Sequence, residues 1–263
     1  MAPRLQSKHV LVFAATGAVG GGTARALAAE GADVWLSGRR ADALEALRHE
    51  IEADGGRAHA DVVDATEAHA VSVYVDRVAA EAGRVDAVFN AIGLPPAELG
   101  YPERSTTQGL ERFLRPLQVI VGSSFLTARA AGAHMARQGS GSIVTLSATL
   151  SGLALPFMAG ISAACGAVEA MKRSLTGELG PAGVRVNCVR ATAMPETRTI
   201  QETSAGQAAI LGISPEQMAL PPIPRGRPIS VAETAAAVAF LASDASSGMT
   251  GQVVNVCGGT ILT

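Results

Sequence analysis

The sequence predicts an α/β fold: a single doubly wound parallel sheet of Rossmann type, with helices on both faces. Three observations carry that prediction. Short apolar runs alternate with amphipathic stretches of helical period along most of the 263 residues. The first apolar run ends in a glycine-rich turn that opens onto a helix. The composition, 48% hydrophobic and 17% charged, suits a globular chain with one large core.

The elements follow in order. His9 to Ala14 is a short apolar run, the signal of a buried strand, and Val19 to Glu30 is a helix stopped by Gly31. Asp33 to Ser37 is a second strand. Leu44, Leu47 and Ile51 recur three or four apart and give 41–53 one apolar helical face. Arg57 to Val62 is a third strand, Glu67 to Ala82 a helix closed by Gly83, and Asp86 to Phe89 a fourth strand. Leu110 to Arg137 is helical, with Pro116 as a kink or as its true start. Ser142 to Ser147 is a fifth strand, Phe157 to Leu179 a long helix broken by Gly180-Pro181, and Val184 to Val189 a sixth strand. Met194 to Pro228 is proline-rich and too long for a simple connector, so a substrate loop is expected at about 191–228. A helix from Val231 to Ser243 and a strand from Gln252 to Val256 complete the chain, which is expected to form one domain over 1–263.

Composition excludes several function classes. A net charge of −2 with scattered arginines offers no nucleic-acid or anionic-membrane footprint. Cys165, Cys188 and Cys257 are odd in number and far apart, so neither a disulfide framework nor a metal site is expected. No run of about 18 apolar residues would span a bilayer. A cytoplasmic setting is the expectation.

The turn Ala14-Ala15-Thr16-Gly17-Ala18-Val19-Gly20 sits between strand and helix. Its glycines would let the backbone approach a pyrophosphate, and the helix-end N–H groups would bind it. After the second strand comes Ser37-Gly38-Arg39-Arg40. Gly38 cannot accept the ribose hydrogen bonds that an acidic side chain would take from NAD, whereas Arg39 can pair with a 2′-phosphate. NADP(H) is therefore favoured over NAD(H).

With these motifs the chain resembles the short-chain dehydrogenase/reductase family over essentially its whole length. Thr16, Gly17, Val19 and Gly20 fit the family's phosphate-binding turn, with Ala14 in place of its first glycine. Asp61-Val62 resembles the pair at the end of the third strand that contacts adenine. Asn90-Ala91-Ile92-Gly93 resembles the family's Asn-Asn-Ala-Gly. The resemblance implies an NADP(H) oxidoreductase acting on a small molecule, as a homo-oligomer or beside an active homologue.

The same resemblance places the catalytic tetrad, and all four members are missing. Serine falls on Ala148, tyrosine on Ile161, lysine on Cys165 and the helix asparagine on Ile120. The chain has no Tyr-x-x-x-Lys: Tyr74 and Tyr101 are followed four residues on by Val78 and Ser105. Losing positioned acid–base catalysis typically costs about 10²–10⁴ in rate. Three readings stay open: an atypical oxidoreductase, a catalytically silent subunit, and a non-redox enzyme that uses an apolar crevice for cyclisation, elimination or isomerisation. Ser147, Thr149, Ser151 and Ser162 are expected to be satisfied by backbone, and Cys165 to be structural. Tyr101 is expected to face solvent, with a position over the crevice as the alternative.

Overall fold

The computed structural model describes residues 3–218 and 222–262. Seven strands form one sheet in the order β3-β2-β1-β4-β5-β6-β7, and every neighbouring pair is parallel. They are β1 (His9–Phe13), β2 (Asp33–Gly38), β3 (Arg57–Val62), β4 (Ala87–Asn90), β5 (Gly141–Ala148), β6 (Val184–Ala191) and β7 (Val253–Val256). The helices between them are α1 (Ala18–Ala29), α2 (Ala41–Ala53), α3 (Ala68–Ala82), α4 (Pro96–Leu99), α5 (Leu110–Pro116), α6 (Gly122–Gln138), α7 (Ala159–Leu179), α8 (Arg198–Leu211) and α9 (Val231–Ala242).

Strand alternation divides the core. Val10 and Val12 of β1 point to one face, where Leu27 of α1, Leu44, Leu47 and Ile51 of α2, and Val238 and Leu241 of α9 cover them. Leu11 and Phe13 point to the other face and meet Val71, Val75 and Val78 of α3 with Ala128, Ala131 and Met135 of α6. Burial on both faces explains why the strands read as nearly unbroken apolar runs. The chain leaves β1 outward to β3, then returns to β4 on the other side of β1 and runs outward to β7. The reversal between β1 and β4 opens a crevice at the strands' carboxyl ends.

The expected helix over 110–137 is interrupted where Pro116 stands. A π-helical stretch, Leu117–Val121, joins α5 to α6 and carries Ile120. Proline has no N–H to donate, so regular hydrogen bonding cannot run through that point. The proline-rich segment mixes irregular stretches with helical pieces, as expected; the longest piece is the 14-residue α8. Residues 219–221 of the expected substrate loop, and residues 1, 2 and 263 of the expected domain, lie outside the described residues. Among the described residues no helix is long and apolar enough to cross a membrane.

Candidate active site

A cleft of about 1080 Å³ runs along the carboxyl ends of the central strands. Its outer half is built on the β1–α1 turn, where Thr16, Gly17, Val19 and Gly20 line the wall. The turn is tight. A Cβ on Gly20 would lie 2.2 Å from the Ala14 carbonyl oxygen, so only glycine lets α1 start there. Ala14 itself adopts a left-handed backbone, φ 59°, which costs an L-residue about 1–2 kcal/mol. Ala18, Val19 and Gly20 form the first turn of α1, and no side chain caps it. Their amides have no partner within the helix and present a cradle for a negatively charged group. These residues fit a dinucleotide pyrophosphate.

Beyond the turn, Arg39 and Arg40 line the cleft beside Gly38. A Cβ on Gly38 would meet only ordinary contacts, 3.5 Å to Thr16 Oγ1 and 3.7 Å to Leu44, so a side chain is sterically allowed there and none is present. Arg115 of α5 lines the same end, a residue the motif reading passes over. Between the arginines stands Asp64. Burial alone would raise its pKa, but hydrogen bonds from Thr66 and the charges of Arg39 and Arg115 outweigh it and hold the carboxyl below its ordinary value.

The expected adenine pair needs correction. Asp61 and Val62 do not line the cleft. The Asp61 carboxylate is ion-paired with Arg77, and Val62 is 63% exposed. The chain continues past the end of β3, with Val63 N–H donating to the Gly38 carbonyl, and Val63, Asp64 and Ala65 form the wall instead. The wall begins at Val63, one residue beyond the Asp61-Val62 pair. Asn90 also lies off the cleft surface. It is buried beneath it, donating to Thr127 Oγ1 (3.0 Å) and accepting from the Ile92 N–H (2.8 Å), which fixes the segment that exposes Gly93.

In the inner half, Ala148 and Ile161 line the cleft, while Ile120 and Cys165 are buried behind them in one apolar cluster. Burial pushes the Cys165 thiol up, away from the reactive thiolate. Tyr101 joins this cluster and is only 8% exposed. The expectation of a solvent-facing loop tyrosine is thereby overturned in favour of its alternative. Leu99, Met158 and Val119 provide the apolar contacts that draw it in.

Behind the floor lies an ionic network that motif reasoning missed. Ser147 of β5, Arg190 of β6 and Asn255 of β7 are linked in register across three strands, so they share one sheet face. Glu169 of α7 packs onto that face. It takes a bidentate pair from Arg190 and accepts at 2.7 Å from the hydroxyls of both Ser147 and Ser151. The expected backbone partners are present at longer range, the Ala148 and Cys165 carbonyls at 3.2–3.5 Å, but the shorter bonds of both serines go to the carboxylate. Burial raises the Glu169 pKa, but the Arg190 and serine hydrogen bonds outweigh it and hold the carboxyl below its usual range. An arginine inside an otherwise buried strand was the available signal, since such a charge requires a partner.

A family model described as enoyl-(acyl carrier protein) reductase matches residues 14–260. The chain belongs to the short-chain dehydrogenase/reductase family of oxidoreductases. D-threitol dehydrogenase of Mycolicibacterium smegmatis is 31% identical, over 97% of this chain and 94% of the relative. The solved structure of an NAD+-bound xylitol dehydrogenase superposes with a TM-score of 0.90 at 28% identity, covering 97% of this chain and 100% of that one. A gluconate 5-dehydrogenase-like chain from Beutenbergia cavernae, solved with NADP at low occupancy, gives 0.84 at 28% identity over 99% of each chain. Both nicotinamide dinucleotides thus occur among its structural neighbours.

Proposed function

We propose that this protein is an atypical NADP(H)-dependent oxidoreductase of the family, working without the Tyr–Lys pair. The observation that carries the reading is the outer cleft. It combines a glycine-shaped phosphate turn with a side-chain-free Gly38 flanked by Arg39 and, across the cleft, Arg115. Thr16, Gly17, Val19 and Gly20 would hold the pyrophosphate, with Asp64 and Ala65 at the adenine end and Gly93 beside the ribose. Bound there, the cofactor supplies or removes a hydride. Arg39 and Arg115 would meet the 2′-phosphate of NADP, whereas NAD would find no carboxylate at Gly38 for its ribose.

The protein's own inner cleft contributes an apolar wall. Helix α8 closes one side, as Thr203, Gln207 and Leu211 line the cleft. Such a surface suits a small substrate with an apolar body. Titration with NADPH and NADH tests the reading. NADPH is expected to bind at least tenfold more tightly, and equal affinity or no binding of either overturns it.

A second reading, a catalytically silent subunit beside an active homologue, draws on the apolar packing of Ile120, Ile161 and Cys165 where the proton-transfer groups are lost. Phe125 of α6, 44% exposed, would sit at such a contact or at one between identical copies. A purified homo-oligomer that transfers hydride removes the silent-subunit reading.

A further inference from the structure

The inner cleft has lost the family's proton donor, yet a phenol stands beside the vacated positions. Among the described residues Tyr101 is the one buried titratable side chain that lines the cleft. The other ionisable groups of the inner half, Glu98, Arg198 and Glu202, are on the rim, with Arg198 paired to Glu202. Tyr101 shares its apolar cluster with Ile120, Ile161 and Cys165, and its phenol is near enough to Cys165 for the two groups to interact electrostatically.

The loop that carries Tyr101 is pinned. Its N–H donates to the Pro96 carbonyl, and Gln108 Nε2 donates to the Gly100 carbonyl at 2.6 Å. Gly100 has φ 76° and packs so closely that a Cβ would lie 2.7 Å from the Arg112 carbonyl oxygen. Glu103 N–H donates to the Phe157 carbonyl at 3.0 Å, just before α7 brings in Ile161. Of the hydroxyls close in sequence to the lost serine, Ser147 and Ser151 both donate to Glu169.

We propose that Tyr101, reaching the cleft from the loop after β4, is the proton donor to the substrate carbonyl oxygen, in place of the missing helix tyrosine. The proposal rests on the oxidoreductase reading above. Hydride addition at the carbonyl carbon, with NADPH as the reductant consumed, moves the C=O π pair onto oxygen. That oxygen takes the Tyr101 proton as the phenol O–H bond breaks, and water from the cleft mouth returns a proton to the phenolate. Burial raises the Tyr101 pKa, so the phenol is protonated at neutral pH. An alkoxide is a far stronger base than a phenolate, so the transfer still runs downhill.

Two measurements test it. With only two tyrosines in the chain, 3-fluorotyrosine labelling gives two 19F signals, assigned with Tyr101→Phe. Adding NADP+ and millimolar acetophenone is expected to move the Tyr101 signal and leave that of Tyr74; an unmoved Tyr101 signal overturns the proposal. In the second, NADPH oxidation by 1-phenyl-1,2-propanedione is followed. Tyr101→Phe is expected to lower kcat about 10²–10⁴-fold with NADPH affinity and melting temperature unchanged. Turnover equal to wild type overturns the Tyr101 role and leaves the oxidoreductase reading standing. If the 19F signal moves but wild type transfers no hydride, the oxidoreductase reading falls and the Tyr101 contact stands.

Discussion

Ala14 holds a backbone conformation that its own methyl group disfavours. With φ at 59° it occupies the left-handed region, where glycine is unpenalised. Ala14→Gly is expected to stabilise the fold by about 1 kcal/mol, less whatever glycine adds to the freedom of the unfolded chain. Chemical denaturation of the two proteins checks this, and a loss of stability would show that the methyl packs usefully. Arg39 and Gly38 set a different balance. Arg39→Ala should weaken NADPH by about 1.5–3 kcal/mol, the worth of a hydrogen bond to a charged group, and leave NADH nearly unchanged. Gly38→Asp has room for its Cβ and should reverse the preference, because the carboxylate repels a 2′-phosphate and accepts from ribose hydroxyls. Isothermal titration of both variants with both cofactors reads the two effects separately.

At the scale of elements, α7 is joined to β5 and β6 through Glu169. Its side chain is 9% exposed and that of Arg190 is 12%, so the pair is largely desolvated. Breaking a buried pair from one side leaves the other charge uncompensated, at a cost of about 3–5 kcal/mol. Glu169→Gln is therefore expected to destabilise strongly, while Glu169→Leu with Arg190→Met should come back close to wild type. The carboxyl is held below its unfolded pKa of about 4.3. Its stabilisation is thus complete above that value and fades as pH falls through the lower folded one. Melting curves from pH 7 to 3 should fall more steeply for wild type than for Glu169→Gln. The sequence made the strands and α2 legible because core residues on both sheet faces impose unbroken apolar runs and strict helical spacing. It did not reveal the Glu169–Arg190 pair, whose partners lie on different elements 21 residues apart. Asp64 was missed for a local reason: the chain runs past β3 before turning toward the cleft, and a motif match at Asp61 stops short of that turn. The burial of Tyr101 is not legible in sequence because a loop need not lie at the surface when apolar neighbours such as Leu99 and Met158 enclose it.

Across the whole molecule, the cleft is lined from both sides of the strand-order reversal. The β1–β3 side supplies Thr16, Gly17, Arg39 and Asp64, and the β4–β6 side supplies Gly93, Arg115, Ala148 and Ile161. A dinucleotide seated there touches both halves of the sheet, so its binding free energy adds to the stability of the entire fold. A ligand that binds only the folded state at one hundred times its Kd adds about 2.7 kcal/mol. For a chain of this length that corresponds to a melting-temperature rise of about 5 °C. The rise should be larger with NADPH than with NADH at equal concentration, and the order should invert in Gly38→Asp. Gly20→Ala supplies the control. Its methyl would strike the Ala14 carbonyl, so the turn must shift and the stabilisation by NADPH should disappear. Differential scanning fluorimetry of the three proteins with each cofactor decides the matter: equal shifts for NADPH and NADH in the wild type would mean that Arg39 and Arg115 do not read the 2′-phosphate.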